Sequence, residues 1–166
     1  DDAGESDGPT PLDPVRYFLL REVSFGQDGD FSRTAMVRRT NTDLANDLGN
    51  LAQRVLSFVA KNAGAVIPTP GTFVDADKAM LDAAAALLPI TRAELDQQAF
   101  HKALEAIFAV VADANRYVDA QAPWSLRKTD PARMATVLYV LMETLRRVGL
   151  LLQAFIHGLA IRRFAF

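Results

Sequence analysis

Apolar side chains recur every three or four residues along most of this chain, which is the period of one face of an α-helix. The longest such run covers residues 33–62, and Ser32 has the residue type and position of its N-cap. Gly49 lies inside this run, where a helix tolerates glycine at a cost of about 1 kcal/mol. A shorter helix is predicted at Pro14–Glu22, with Asp13 as its cap.

Turn residues divide the middle of the chain. Glycines and prolines across residues 63–72 predict a loop. A helix is predicted at Asp75–Leu88, ending before Pro89 because proline interrupts helical hydrogen bonding. Thr91 stands three residues before a glutamate, which is the spacing of a capping box. We therefore expect the next helix to begin there and to run to about Asp119.

The rest of the chain holds one more connection and one more helix. Residues 120–130 are predicted to connect two helices, and they contain Pro123 and Trp124. Asp130 then begins a last helix, which runs from the following proline to about Ala160. The sequence shows no convincing strand and no internal repeat. It predicts an all-α protein, an antiparallel bundle of about four main helices with a short helical element in front.

The composition agrees with this fold class and restricts the cellular setting. Half of the 166 residues are apolar, enough for a substantial helical core. The absence of cysteine excludes disulfides and thiolate zinc sites and is compatible with a reducing cytosol. The acidic N-terminus shows no secretory signal, and the most apolar stretch, residues 148–161, is shorter than the ~20 residues of a membrane span. We expect a cytoplasmic protein without a membrane partner.

The net charge of −2 conceals an uneven distribution. Residues 1–30 hold eight acidic and two basic side chains, whereas residues 124–166 hold two acidic and seven basic ones. Residues 1–11 are predicted to be a disordered acidic tail. The basic end could contact a phosphate backbone, or it could be a solvated helix face that balances the tail. The candidates for phosphate contacts are Arg127, Lys128 and Arg133.

One candidate binding site combines two separate segments. Asn50 and Arg54 are four residues apart and lie on one face of the predicted helix. Trp124 follows Pro123 in a stiffened turn. Two hydrogen-bonding groups and a flat ring suit an unstacked RNA base. The structural alternative is that Trp124 anchors the edge of the core and that Asn50 and Arg54 form an ordinary polar face.

Catalytic and metal chemistry is hard to find in the sequence. His101 and Glu105 have the spacing of a metal-ligating pair, but such pairs are more often surface contacts. The glycines at residues 26–29 do not match a P-loop, which also needs a preceding strand and Lys-Ser/Thr. No nucleophile elbow or paired acidic cleft is present. The residues alone therefore indicate a helical binding module.

Several strings of residues resemble bacterial methionyl-tRNA synthetases, in the order of that family. They are Arg-Tyr-Phe-Leu-Leu-Arg-Glu-Val-Ser-Phe-Gly at residues 16–26, Asp-Leu-Ala-Asn-Asp-Leu-Gly-Asn-Leu at residues 43–51, Ala-Asn-Arg-Tyr through Ala-Pro-Trp at residues 114–124, and Met-Ala-Thr-Val-Leu-Tyr-Val-Leu at residues 134–141. The resemblance implies a class I synthetase, whose helical domain reads the CAU anticodon of methionine tRNA.

The resemblance also assigns domains and site residues. It implies that residues 12–40 are the remnant of a stem-contact linker and that residues 41–166 are the anticodon-binding bundle. Methionine tRNA is the implied partner. By resemblance, the anticodon-binding residues are Asn50, Arg54 and Trp124, with Pro123 holding the Trp in place.

The chain also departs from the family pattern. Its sequence has no HIGH-type or KMSKS-type string, which implies that it binds neither ATP nor methionine, contains no cofactor or metal, and is inactive alone. A separate or upstream catalytic domain is then a further implied partner. After Gln153 the family's proline-containing break is missing, so we expect the last helix to continue. The alternative function is a truncated or degenerate helical interaction module that no longer reads RNA.

Overall fold

The structure, a computed structural model, describes residues 12–23 and 32–156. The predicted tail at residues 1–11 and the glycines at residues 26–29 lie outside these ranges. All regular elements of the described residues are helical, which confirms the all-α prediction. They are α1 (Leu12–Glu22), α2 (Arg33–Thr40), a π-helical segment (Asn41–Gly49), α3 (Asn50–Asn62), α4 (Asp75–Asp96), α5 (Phe100–Gln121), α6 (Pro123–Thr129) and α7 (Pro131–Leu152).

The predicted helix at residues 33–62 is confirmed, because α2, the π-helical segment and α3 follow one another without a break. Ser32 is its N-cap, and its hydroxyl accepts a hydrogen bond from the backbone N–H of Ala35 at 3.3 Å. A Cβ at Gly49 would lie only 3.0 Å from the carbonyl oxygen of Leu44. The wide π-helical turn therefore favours glycine at position 49, because a larger residue would crowd this carbonyl. Turns of this kind are frequent at functional sites.

The bundle consists of four long helical stretches. They are α3, which is the last part of the helix at residues 33–62, and helices α4, α5 and α7. Helices α4, α5 and α7 pack against one another, and α3 packs against α5 and α7. Helix α7 supplies much of the centre, where Val137, Leu138 and Leu141 are fully buried. Helix α1 packs against α5 and α2 and forms the predicted short element in front.

The predicted break at Pro89 is wrong. Helix α4 continues through Pro89 to Asp96, and Thr91 is a buried residue inside the helix rather than the cap of the next one. Pro89 lies on the exposed side of the helix, where the bundle tolerates the lost hydrogen bond. The connection falls instead at residues 97–99.

The turn at residues 97–99 closes helix α4 with a left-handed residue. Gln98 has φ +58°. The backbone N–H of Gln98 donates to the carbonyl of Leu95 at 2.9 Å, and that of Ala99 donates to Glu94 at 2.8 Å. These two bonds are those of a Schellman motif, in which glycine usually occupies the left-handed position. No local pattern predicts this helix end, because glutamine stands where glycine is usual. The short connection makes α4 and α5 antiparallel neighbours.

Three further predicted boundaries need correction. Helix α1 begins at Leu12, so Asp13 is a buried residue of its first turn and not its cap. The predicted connection at residues 120–130 contains a seven-residue helix, α6. Helix α7 ends at Leu152 and a turn follows at residues 153–155, so the predicted continuation toward residue 160 is wrong as far as residue 156, where the described range ends.

Candidate nucleic-acid interface

Helix α3 presents a polar row beside a buried one. Asn50, Gln53 and Arg54 are exposed, whereas Leu51 and Val55 on the same helix are buried in the bundle. This division follows from the 3.6-residue period, since residues three and four apart share a face. The predicted pair of Asn50 and Arg54 therefore points out of the bundle from adjacent helical turns.

Trp124 is held at the start of α6 by an unusual bend. Ala122 has left-handed dihedrals, φ +42° and ψ 61°, and Pro123 is the first helical residue after it. The fixed φ of proline suits this position, where its missing N–H costs no hydrogen bond. Pro123 is buried, and Trp124 keeps 45% of its surface exposed. Trp124 therefore follows a fixed, buried residue and remains accessible to solvent.

Arg54 connects the two segments. Its guanidinium carbon lies 5.5 Å from the centroid of the Trp124 ring, within the range of a cation–π contact. Its Nη2 donates to Oδ1 of Asp119 on α5 at 2.5 Å. The structure thus brings Arg54 and Trp124 into contact, with Asn50 one turn before Arg54 on the same face.

Two hollows share Arg54 in their lining. The first is a small apolar pocket of about 170 Å³, lined by Arg54, Val55, Phe58, Val118, Pro123, Trp124, Leu138 and Leu141. The second is a polar groove of about 430 Å³, lined by Asn46, Asp47, Asn50, Gln53, Arg54, Ala112 and Asn115. One hollow offers ring and aliphatic surface, and the other offers amide and carboxylate groups.

The π-helical segment forms one wall of the polar groove. The side-chain amide of Asn115 donates to the carbonyl of Asp47 at 3.1 Å and to that of Val111 at 3.2 Å, which fixes α5 to this segment. Burial, and secondarily the neighbouring Asp43, raise the pKa of Asp47. The groove is therefore bordered by a partly buried carboxyl group and by an amide whose orientation is fixed.

The three candidate phosphate contacts separate into two groups. Arg127 and Lys128 are exposed on α6, near Trp124. Arg127 donates to the amide oxygen of Asn62 at 3.1 Å. Arg133 instead points into the bundle, where its side chain is only 18% exposed. Its guanidinium is engaged within the protein, so we assign it a structural role.

Arg133 belongs to a buried network around Asp77. It makes two hydrogen bonds to the Asp77 carboxylate, at 2.5 and 2.8 Å, and a third to Gln121 at 2.6 Å. The carboxylate also accepts from the Tyr117 hydroxyl at 2.5 Å and from the Val74 backbone N–H at 3.0 Å. Burial opposes ionisation of Asp77, but these hydrogen bonds lower its pKa. The network joins α4, α5 and α7.

Two kinds of feature are absent from the described residues, a metal-binding cluster and a membrane-spanning helix. Among them, no group of three or more His, Cys, Asp or Glu side chains is placed to hold a metal ion. None of the helices in the described ranges is long and apolar enough to cross a membrane.

Sequence reasoning missed three side chains of this surface. Asp119 pairs with Arg54 across the helix interface, and no local pattern announces such a contact. Asn115 lines the groove from α5, and no local pattern predicts this contact between helices either. Asn46 could have been found, because it stands four residues before Asn50 and thus on the same helical face.

Comparison with family sequence models identifies two matching segments. Residues 67–162 match the family described as the anticodon binding domain of methionyl tRNA ligase. Residues 5–56 match the family described as class I tRNA synthetases (M).

Individual relatives agree with these matches. The chain is 65% identical over 145 residues to a methionine–tRNA ligase of Brucella suis biovar 1, and 56% identical over 146 residues to that of Mycobacterium tuberculosis. These alignments cover 87% and 86% of this chain and 28% of each relative. A crystal structure of apo Mycobacterium tuberculosis methionyl-tRNA synthetase superposes with a TM-score of 0.85 at 55% identity, over 88% of this chain and 30% of that one. The chain thus spans less than a third of the length of these relatives.

Proposed function

Because this chain belongs to the methionyl-tRNA ligase family and matches its anticodon-binding domain, we propose that its bundle binds methionine tRNA and reads the CAU anticodon. The observation that carries the proposal is the contact of Arg54 with Trp124 beside an open pocket. It combines a charged hydrogen-bond donor, an exposed aromatic ring and space in one place. Unstacked RNA bases are commonly bound by such combinations.

Trp124 is proposed to stack on the first anticodon base. Its side chain is 45% exposed, and the buried Pro123 before it restricts the backbone at the start of α6, so little backbone freedom is lost on binding. Stacking of a base on an aromatic side chain contributes ~1–3 kcal/mol. Stacking alone does not distinguish the bases, because every base has a flat face.

Discrimination is proposed to come from Arg54 and Asn50, which hydrogen-bond the edge of the base. A wrong base leaves these donors and acceptors without partners in a partly closed site, which costs ~1–3 kcal/mol per group. The ion pair of Arg54 with Asp119 does not prevent this role. Both side chains are largely exposed, and an exposed pair contributes only ~0–1 kcal/mol, so exchange of partners is inexpensive.

Arg127 and Lys128 are proposed to contact the phosphate backbone next to the bound base. They lie on α6, the helix that carries Trp124. Because phosphate contacts do not depend on sequence, these residues would strengthen binding to every anticodon equally. Arg133 is left out because its guanidinium is held by Asp77.

The bundle is proposed to act in the cytoplasm as part of a methionine–tRNA ligase. Activation of methionine with ATP requires a catalytic domain, on the same polypeptide or on a separate one. The described residues supply the tRNA-reading half of that activity, and we propose that they do not aminoacylate tRNA alone.

Binding of RNA hairpins tests the proposal. Hairpins with a CAU loop and with the first base changed to U are titrated against the wild type, Trp124→Ala and Trp124→Phe. We expect the wild type to prefer CAU, Trp124→Ala to lose ~1–3 kcal/mol of affinity, and Trp124→Phe to lose less because it keeps a ring. Leu150→Ala, which removes an exposed side chain of α7, is the matched control and should bind normally.

Two results would overturn this function. Equal affinity of the wild type for both hairpins would leave a helical module without anticodon reading. Normal binding by Trp124→Ala, with its fold verified by circular dichroism, would remove the indole from the site.

A further inference from the structure

Helix α6, which carries Trp124, lies between two long helices, and one arginine contacts the chain on both sides of it. Arg133, in the first turn of α7, donates from Nη2 to the side-chain oxygen of Gln121 at 2.6 Å, and Gln121 is the last residue of α5. The backbone N–H of Arg133 donates to Oδ1 of Asp130, between α6 and α7, at 2.9 Å. Arg133 therefore fixes both connections of the short helix.

The backbone between Gln121 and Pro123 needs such a restraint. Ala122 has φ +42° and ψ 61°, and it is both the last cap of α5 and the first cap of α6. These left-handed dihedrals are unfavourable for alanine, because its Cβ approaches the following carbonyl oxygen. Such a residue persists only where its surroundings determine its conformation. The hydrogen bond of Gln121 restrains it on one side, and the buried Pro123 restrains it on the other.

Arg133 is itself held in place by the core. It makes two hydrogen bonds to the Asp77 carboxylate, at 2.5 and 2.8 Å, and the Asp77 side chain is fully buried. A side chain that is locked by other hydrogen bonds presents its remaining donor in one position. The bend at Ala122 is therefore connected to the buried network and does not depend on a mobile surface contact.

The bend decides where the indole lies, because Trp124 stands only two residues after Ala122. The ring centroid lies 5.5 Å from the Arg54 guanidinium carbon, and the ring borders the small apolar pocket with Val118 of α5. A rotation at Ala122 would move α6 and separate the ring from Arg54. If only a fraction of the molecules holds the ring in place, the apparent affinity for a ligand falls by that fraction.

We infer that Gln121 is a positioning residue, whose hydrogen bond with Arg133 fixes the bend at Ala122 and thereby places Trp124 to stack on a base. This inference rests on the proposed function. Gln121 acts through the indole, and stacking on an aromatic ring tolerates any base. Loss of the hydrogen bond therefore weakens binding to every anticodon by the same factor and leaves the preference for CAU unchanged.

The test compares two replacements of nearly equal length. Gln121→Met removes the oxygen that accepts from Arg133, whereas Gln121→Glu keeps an acceptor, and all three side chains favour a helix. Trp124 is the only tryptophan of the chain, so the fluorescence of the free protein reports on this ring alone. For Gln121→Met we expect emission at longer wavelength and stronger quenching by acrylamide, because the ring becomes more exposed. For Gln121→Glu we expect the wild-type spectrum.

Titration of hairpins with CAU and UAU loops completes the test. For Gln121→Met we expect both affinities to fall about fivefold, the factor of one net hydrogen bond, with an unchanged ratio. Gln121→Glu should bind as the wild type does. Gln97→Met, at an exposed glutamine beyond the opposite end of α5, is the matched control and should change neither fluorescence nor affinity. Gln121→Asn, whose amide is one methylene shorter, should behave like Gln121→Met and replaces it if that variant does not fold.

The possible failures are distinguishable. A wild-type spectrum and wild-type affinities for Gln121→Met would show that this hydrogen bond does not place the ring, and equal losses for Gln121→Met and Gln121→Glu would show the same. A changed ratio of CAU to UAU affinity in Gln121→Met would also contradict the inference, because Gln121 would then act on base reading. If the wild type binds both hairpins equally, the proposed function fails, whereas the fluorescence of the free variants still decides whether Gln121 places Trp124.

Discussion

Two arginine–aspartate pairs in this bundle have the same shortest distance and different consequences. Arg54 contacts Asp119 at 2.5 Å, and Arg133 contacts Asp77 at 2.5 Å. In the first pair the side chains are 41% and 63% exposed, whereas in the second they are 18% and 0% exposed. Burial therefore separates a pair that can exchange its partner for a ligand from a pair that holds the fold together.

The surroundings of the two aspartates explain the difference. Asp77 also accepts hydrogen bonds from Tyr117 and from the Val74 backbone, so its charge is compensated from three elements. Asp119 is largely exposed, so water competes for its contact with Arg54. Loss of one partner of a buried pair costs ~3–5 kcal/mol, whereas an exposed pair contributes ~0–1 kcal/mol. Equal distances do not imply equal energies.

The largest effect is expected from Arg133→Ala. It leaves the Asp77 carboxylate buried and without its cation, so the free energy of unfolding should fall by ~3–5 kcal/mol. Urea denaturation measures this change. Arg127→Ala, which removes an exposed arginine of α6, is the control and should lose under ~1 kcal/mol. Equal stability of the two variants would show that burial does not make the pair of Arg133 and Asp77 more stabilising than an exposed arginine.

The next largest effect is expected at acidic pH, which should weaken the buried pair of Arg133 and Asp77. The folded-state pKa of Asp77 is lowered, so its stabilising contribution is complete above its ordinary pKa of about 4 and disappears as the pH falls through the lower folded value. Asp77→Asn removes this contribution, and its free energy of unfolding should decline less steeply than that of the wild type in this acid range. Asp75→Asn, at an exposed carboxylate, should follow the wild type. Parallel curves for all three proteins would contradict this role of Asp77.

The smallest effect is expected from Asp119→Ala. Because the pair with Arg54 is exposed, the free energy of unfolding should change by less than ~1 kcal/mol, and added salt should reduce the difference further. Urea denaturation at low and high salt measures both. A loss comparable to that of Arg133→Ala would mean that the exposed pair of Arg54 and Asp119 also holds the fold together.

Local patterns were sufficient where local chemistry decides the structure. Ser32 and the apolar period predicted the helix at residues 33–62 with the observed bounds. Pro89 misled because the exposed side of a packed helix tolerates proline. Thr91 misled as well, because its capping-box spacing lies on a buried face inside the continuing helix α4. The actual helix end at Gln98 was not predicted, because the left-handed residue there is neither glycine nor asparagine.

The candidate site shows the same division. Asn50 and Arg54 were proposed from helical spacing, and Trp124 from its place after Pro123, all within single segments. Arg133 was predicted from charge alone to contact phosphate, because its partner Asp77 is 56 residues away in sequence. Long-range pairing decides which arginines are available to a ligand, and a single sequence does not show it.

The most direct test is the ratio of hairpin affinities, CAU over UAU, for Arg54→Ala and Arg133→Ala in conditions where both are folded. We predict that Arg54→Ala loses the preference for CAU and retains wild-type stability, whereas Arg133→Ala retains the preference and loses stability. An unchanged CAU preference in Arg54→Ala would contradict the assignment of Arg54 as the residue that reads the base.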